Sequence, residues 1–109
     1  MTVEALWTVE YQSRSGWIMG GIVVLETNRI FGGDGQYYYT GTYSLNDSNI
    51  EGTMTAKHYH GEKKTAWGDA ESQFEVKFKG VVDKQSIFGE ASRSQGKVPF
   101  RMLKRENLP

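Results

Sequence analysis

His58 and His60, two residues apart, are the first groups in the chain whose spacing suggests chemistry. Residues i and i+2 of a strand share a face, so both imidazoles could reach one metal ion. A metal site needs at least a third ligand. The chain has 2 histidines and no cysteine, and no Asp or Glu pattern points to the missing donor. No metal or other cofactor is therefore expected, and the pair reads as the end of a strand running past the core into a wet barrel mouth. Nucleophilic catalysis fares no better. Serines are plentiful, but none sits in a nucleophile elbow or a triad-like motif. Gly32-Gly33-Asp34-Gly35 is glycine-rich, yet it lacks the lysine and following helix of a phosphate loop. An enzyme is not expected.

The remaining candidates are aromatic, and they fall on inward strand faces. Trp7, Tyr11, Tyr37, Tyr39, Tyr43, Phe74, Phe78 and Phe100 alternate with polar neighbours, and Gly41, Gly52, Gly80 and Gly89 sit opposite them. Two arrangements satisfy this pattern. Large and small residues can interlock to fill a small barrel wholly or in part, which is the simpler reading, because tyrosines near a barrel mouth are ordinary amphipathic packing. Alternatively, the rings line a cavity for a small apolar or amphipathic ligand, oriented by tyrosine hydroxyls. Eight strands are wide enough for either. The cavity candidates are Trp7, Tyr11, Tyr37, Tyr39, Tyr43, His58, Phe78 and Phe100.

The elements that position these residues are strands. The stretch from Gln36 to His60 reads as two long strands joined by a polar turn, Asn46-Asp47-Ser48-Asn49. Its first strand turns Tyr37, Tyr39, Gly41, Tyr43 and Leu45 to one side; its second turns Ile50, Gly52, Met54, Ala56, His58 and His60 to one side. Before it come a strand over Ala5 to Gln12, one over Trp17 to Leu25 and a short one over Arg29 to Gly33. Asp34-Gly35 carries the signature of a tight hairpin with positive φ. After it come strands over Gln73 to Val82, Ser86 to Arg93 and Lys97 to Arg105. The connection from Gly61 to Ser72 is the longest, and its composition allows one short helix over Thr65 to Glu71, with Gly68 against it. Eight strands with short turns predict an all-β, up-and-down antiparallel barrel. Closure would set Glu4 and Glu10 of the first strand beside Arg101 and Arg105 of the last.

The strand from Trp17 to Leu25 breaks the alternation, because both faces are apolar. A simple period of two puts Ile18, Gly20, Ile22 and Val24 outside, where a partner subunit or another segment of the chain is expected to cover them. Ile18, Ile22 and Val24 are the candidate dimer-interface residues.

Composition sets the bounds. A chain of 109 residues reads as one domain, 1–109. Hydrophobic residues at 38% and aromatics at 13% are too many for a disordered chain. Thirteen basic and 13 acidic side chains cancel, so the basic surplus of a nucleic-acid binder is missing. No basic leader followed by an apolar run, and no stretch of membrane-spanning length, is visible. The cytoplasm is the expected location, with no membrane partner.

Several motifs together resemble the GrlR family, small β-barrel proteins named for a negative regulator of type III secretion in enteric pathogens. They are Leu6-Trp7, Gly32-Gly33-Asp34, the run Tyr37-Tyr38-Tyr39-Thr40-Gly41-Thr42-Tyr43, and Asn107-Leu108-Pro109. The resemblance spans nearly the whole chain. It implies a lipocalin-like barrel, a homodimer, and, in the regulator branch, a regulatory role through protein binding to a transcriptional activator. That branch docks its partner on an acidic loop. The matching loop here is Leu45 to Ile50, in which Asp47 is the only acid and Asn46, Asp47, Ser48 and Asn49 are the candidate partner residues.

Overall fold

The computed structural model describes residues 3–109. Alternating side chains become eight strands: β1 (Ala5–Ser13), β2 (Gly16–Glu26), β3 (Arg29–Gly33), β4 (Tyr37–Asn46), β5 (Asn49–His58), β6 (Gln73–Asp83), β7 (Ser86–Arg93) and β8 (Gly96–Asn107). Each pairs antiparallel with the next, and β1 pairs with β8 to close the barrel. The all-β up-and-down barrel expected from the sequence is the fold observed, and closure leaves neither the first nor the last strand as a free edge.

The β4–β5 hairpin is paired without interruption from Tyr37↔His58 to Asn46↔Asn49. Its inward face is the anticipated one, with Tyr37 and Tyr43 buried and Tyr39 partly so. Gly52 shows why small residues alternate with rings. A Cβ there would lie 2.2 Å from the Thr42 carbonyl oxygen and 2.9 Å from the Phe78 ring, so the ring of β6 lies directly over the β5 backbone.

One end of the barrel is a packed floor. Trp7, Ile30 and Ile87 are fully buried there, and the Trp7 indole donates to the Val3 carbonyl at 2.9 Å. Tyr43 packs into the same cluster. The other end is a mouth, where the turns after β1, β3, β5 and β7 gather.

Four local expectations are corrected. First, no helix forms over 61–72. Gly68 adopts φ +90°, and the Thr65 hydroxyl accepts the Trp67 amide at 3.1 Å, which closes a local turn instead of a helical one. Second, β5 ends at His58 instead of His60, because the Tyr59 and His60 amides turn away to the Gln36 carbonyl. Third, Asp34 and Gly35 do not take positive φ. The Asp34 carboxylate accepts the Gln36 and Tyr37 amides, both at 2.7 Å, and builds an Asx-type turn. The hairpin with two consecutive positive φ values is Thr27-Asn28, at 50° and 64°.

Fourth, β2 carries a bulge. Its pairing with β1 steps from Val9↔Gly21 to Glu10↔Met19 and leaves Gly20 without a partner. Gly21 has φ +120°, and a Cβ would meet the Gly33 carbonyl oxygen at 2.3 Å, so the bulge is built on glycine. The extra residue reverses the face of everything before it. Ile18, opposite Tyr11, turns toward the interior, whereas Ile22 and Val24 stay outside. The three candidate interface residues therefore do not share a face, and Met19 takes the outer place assigned to Ile18. Ile22 is 47% and Met19 57% exposed, so no described segment of the chain covers this face.

The closing seam follows the same rule. Glu10 and Arg101 are opposite and form an ion pair of 3.0 Å, with the guanidinium 4.1 Å from the Trp17 ring centroid. A register shift between Leu6 and Trp7 leaves Arg105 out of the pairing. Arg105 donates to the Thr8 hydroxyl at 2.9 Å, and Glu4 accepts the Thr27 amide at 3.0 Å, so the expected second pair does not form.

Candidate functional site

Above the floor the barrel is hollow. A cavity of about 420 Å³ runs from Ile30 and Met102 to the mouth. Of the two arrangements the sequence allowed, complete filling is absent: side chains fill the barrel only in part, packing the floor and leaving a ring-lined hollow above it. Five of the expected residues line the cavity: Tyr11, Tyr37, Tyr39, Phe78 and Phe100. Three do not. Trp7 and Tyr43 are in the floor, because their positions on β1 and β4 are too close to the closed end. His58 is turned into the mouth turn, its Nε2 2.8 Å from the Gly61 carbonyl, with its ring edge-on to Tyr37. His60 is exposed, and among the described residues no group of three metal-ligating side chains converges.

The aliphatic wall includes Val9, Ile18, Met54 and Val76. Alternation alone puts Val9, Met54 and Val76 inside; Ile18 is inside only because of the bulge. The mouth is crossed by the 61–72 connection, of which Lys64, Thr65, Ala66 and Trp67 face the cavity. An interaction invisible in the linear sequence holds this strap. Arg93, at the end of β7, grips both oxygens of Asp69, at 2.9 and 3.0 Å. The same guanidinium lies 4.0 Å from the Phe74 ring centroid and 5.1 Å from that of Trp67. The Trp67 indole donates to the Gly96 carbonyl at 2.9 Å, and the Thr65 hydroxyl donates to Asp69. The Arg93 hydrogen bonds hold the Asp69 carboxyl down to about 2, well below the usual carboxylate range.

Asp34 organises the other side of the mouth. Beyond the two amides on Oδ1, its Oδ2 accepts the Tyr39 hydroxyl at 2.5 Å, and its carbonyl accepts the Tyr59 hydroxyl. The Tyr39 oxygen also lies 3.1 Å from the Gly20 carbonyl, tying β4 to the bulge of β2. Burial and then the bond to Asp34 push the Tyr39 phenol far above its ordinary value. Burial first, then the Asp34 charge, raises Tyr11 as well. Sequence reasoning placed Asp34 in a turn and missed its part in the site. The available signal was its position two and three residues before amides that an Asp side chain commonly caps.

The expected partner turn, Asn46 to Asn49, is exposed at the floor end, away from the mouth, with Asp47 at φ 56°. The Ser48 carbonyl accepts the Val82 amide at 2.7 Å, which fastens the turn to β6.

These features define an eight-stranded up-and-down barrel with a packed floor, a hollow apolar interior and a strapped mouth. No protein-family model matches the chain, and no curated protein matches it in sequence.

Proposed function

We propose that the protein is a non-enzymatic binder of a small apolar or amphipathic molecule inside the barrel. The observation that carries this reading is the cavity of about 420 Å³, within the size range of small-molecule sites and walled by aliphatic and aromatic side chains. Polar groups are gathered at the mouth, where they would orient a guest instead of stripping water from its polar end. The test is a fluorescence titration with N-phenyl-1-naphthylamine, a neutral apolar dye. Wild-type protein is expected to enhance its emission saturably. Ala91→Phe, which puts a ring into the cavity, is expected to abolish the enhancement while leaving the circular dichroism of the barrel unchanged. Equal dye binding by both proteins would refute the reading.

A second reading, a GrlR-like regulatory protein acting by protein contact, is favoured by one outer surface. Met19, Ile22, Phe31 and Tyr38 are all exposed on neighbouring strands β2, β3 and β4. A second copy of the chain, giving a homodimer, is the occupant first expected there, and the transcriptional activator implied by the family resemblance is the other. Sedimentation of wild type against Ile22→Glu tests the dimer.

A further inference from the structure

Asp34 is a half-buried carboxylate at the mouth of an apolar cavity, and among the described residues no cation lies within 4 Å of it. Its three hydrogen bonds come from the Gln36 amide, the Tyr37 amide and the Tyr39 hydroxyl. A carboxylate offers about four lone-pair sites, so one direction on Oδ2 stays open. Removing a carboxylate from water is costly unless a charge partner compensates it. The other mouth acid, Asp69, has such a partner in Arg93. Asp34 does not.

The groups around it suit a cation. Tyr11, Tyr37 and Tyr39 line the same end of the cavity, and their ring faces attract positive charge. Among the described residues the Tyr11 hydroxyl has no hydrogen-bond partner, which leaves its lone pairs available to an N–H donor. Asp34 also raises the pKa of Tyr11 and Tyr39, so its negative field extends across this part of the cavity. Among the described residues, Lys64 is the one basic side chain lining the cavity, and it is exposed on the strap, where water screens it.

We infer that the barrel's guest is an apolar molecule carrying one cationic nitrogen, with its tail among Val9, Met54, Val76 and Phe78 and its nitrogen between the Asp34 carboxylate and the Tyr11 and Tyr39 rings. This rests on the ligand-binding reading above and names the chemical class.

The experiment is displacement of bound N-phenyl-1-naphthylamine by three probes of one chain length: decylammonium, decanol and decanoate, each below its aggregation concentration. Decylammonium is expected to displace the dye at concentrations at least about tenfold lower than decanoate, with decanol between them. Asp34→Asn keeps a side-chain oxygen for the Gln36 and Tyr37 amides, and it is expected to bring decylammonium to the level of decanol. Equal potency of all three probes on wild type would overturn the inference and leave the apolar-binding reading standing. So would a preference for decanoate that Lys64→Gln removes, which would place an anionic head group at Lys64. Failure of the dye to bind at all would remove both. The order of the three probes on wild type decides the matter even if Asp34→Asn does not fold.

Discussion

Replacing Arg93 with methionine should release the strap across the mouth without unfolding the barrel. The Arg93 side chain is 6% exposed and Asp69 26%, so the variant strands a half-buried carboxylate that had two guanidinium bonds. Removing one partner of a fully buried pair costs about 3–5 kcal/mol, and the partial exposure of Asp69 lowers this to about 2 kcal/mol. Methionine retains much of the packing on Phe74 and Trp67, so the loss is mainly electrostatic. The reporters are the Thr65 amide, which donates to the Asp69 carbonyl at 3.0 Å, and the Gly68 amide, which donates to the Thr65 carbonyl at 2.9 Å. At about 1.4 kcal/mol per tenfold, 2 kcal/mol corresponds to exchange of these two amides about 30-fold faster in Arg93→Met. Amides inside the β4–β5 ladder should keep their wild-type protection. Acid should act on the same element. The Asp69 carboxyl titrates lower in the folded chain than in the unfolded one, so its contribution is complete above the ordinary carboxylate range and is lost as pH falls toward about 2. Wild-type protection of Thr65 and Gly68 should therefore decline between about pH 4 and pH 2, and that decline should be absent in Asp69→Asn. Unchanged exchange in Arg93→Met, or equal acceleration throughout the barrel, would refute the idea that this ion pair holds the strap.

Other outcomes follow from single contacts. Gly52→Ala drives a methyl against the Thr42 carbonyl and the Phe78 ring; a loss of about 2 kcal/mol is expected from overpacking, read as a lower midpoint in urea. Trp7→Phe removes the indole bond to the Val3 carbonyl and leaves space in the floor, at a cost of about 2 kcal/mol on thermal unfolding. Ile22→Glu leaves the barrel stable, because the side chain is exposed, and should halve the sedimenting mass if the outer face holds a second copy. Gly21→Ala should destabilise more than Gly35→Ala in the same denaturation assay, because Gly21 has φ +120° and a carbonyl at 2.3 Å from its Cβ position, whereas Gly35 has open space.

The eight strands and the inward face of the β4–β5 hairpin were legible in the residues because alternation with a period of two is a local property. Tyr37, Tyr39, Phe78 and Phe100 were assigned to the interior on that basis alone, and the Glu10–Arg101 seam was legible for the same reason. A bulge breaks such reasoning, since one extra residue reverses every side chain beyond it. Ile18 moved inside and Met19 outside through Gly20, and Arg105 left its expected partner at the seam. Depth along the barrel axis is not written in alternation either. Trp7 and Tyr11 share a face of β1, yet Trp7 fills the floor and Tyr11 lines the cavity. Whether a ring fills space or borders it depends on what the opposite wall supplies at that height. Arg93 and Asp69, 24 residues apart in sequence, meet only because the strap returns across the mouth; Asp34 meets Tyr39 across its own turn into β4 and Tyr59 just past the end of β5, 25 residues on. By itself the sequence determined the strands, their order of pairing and, away from the bulges, their inward faces, which neighbouring residues encode; the tertiary structure alone decided the hollow, the strap across it and the placing of the Asp34 carboxylate at its mouth, because each depends on walls contributed by distant parts of the chain.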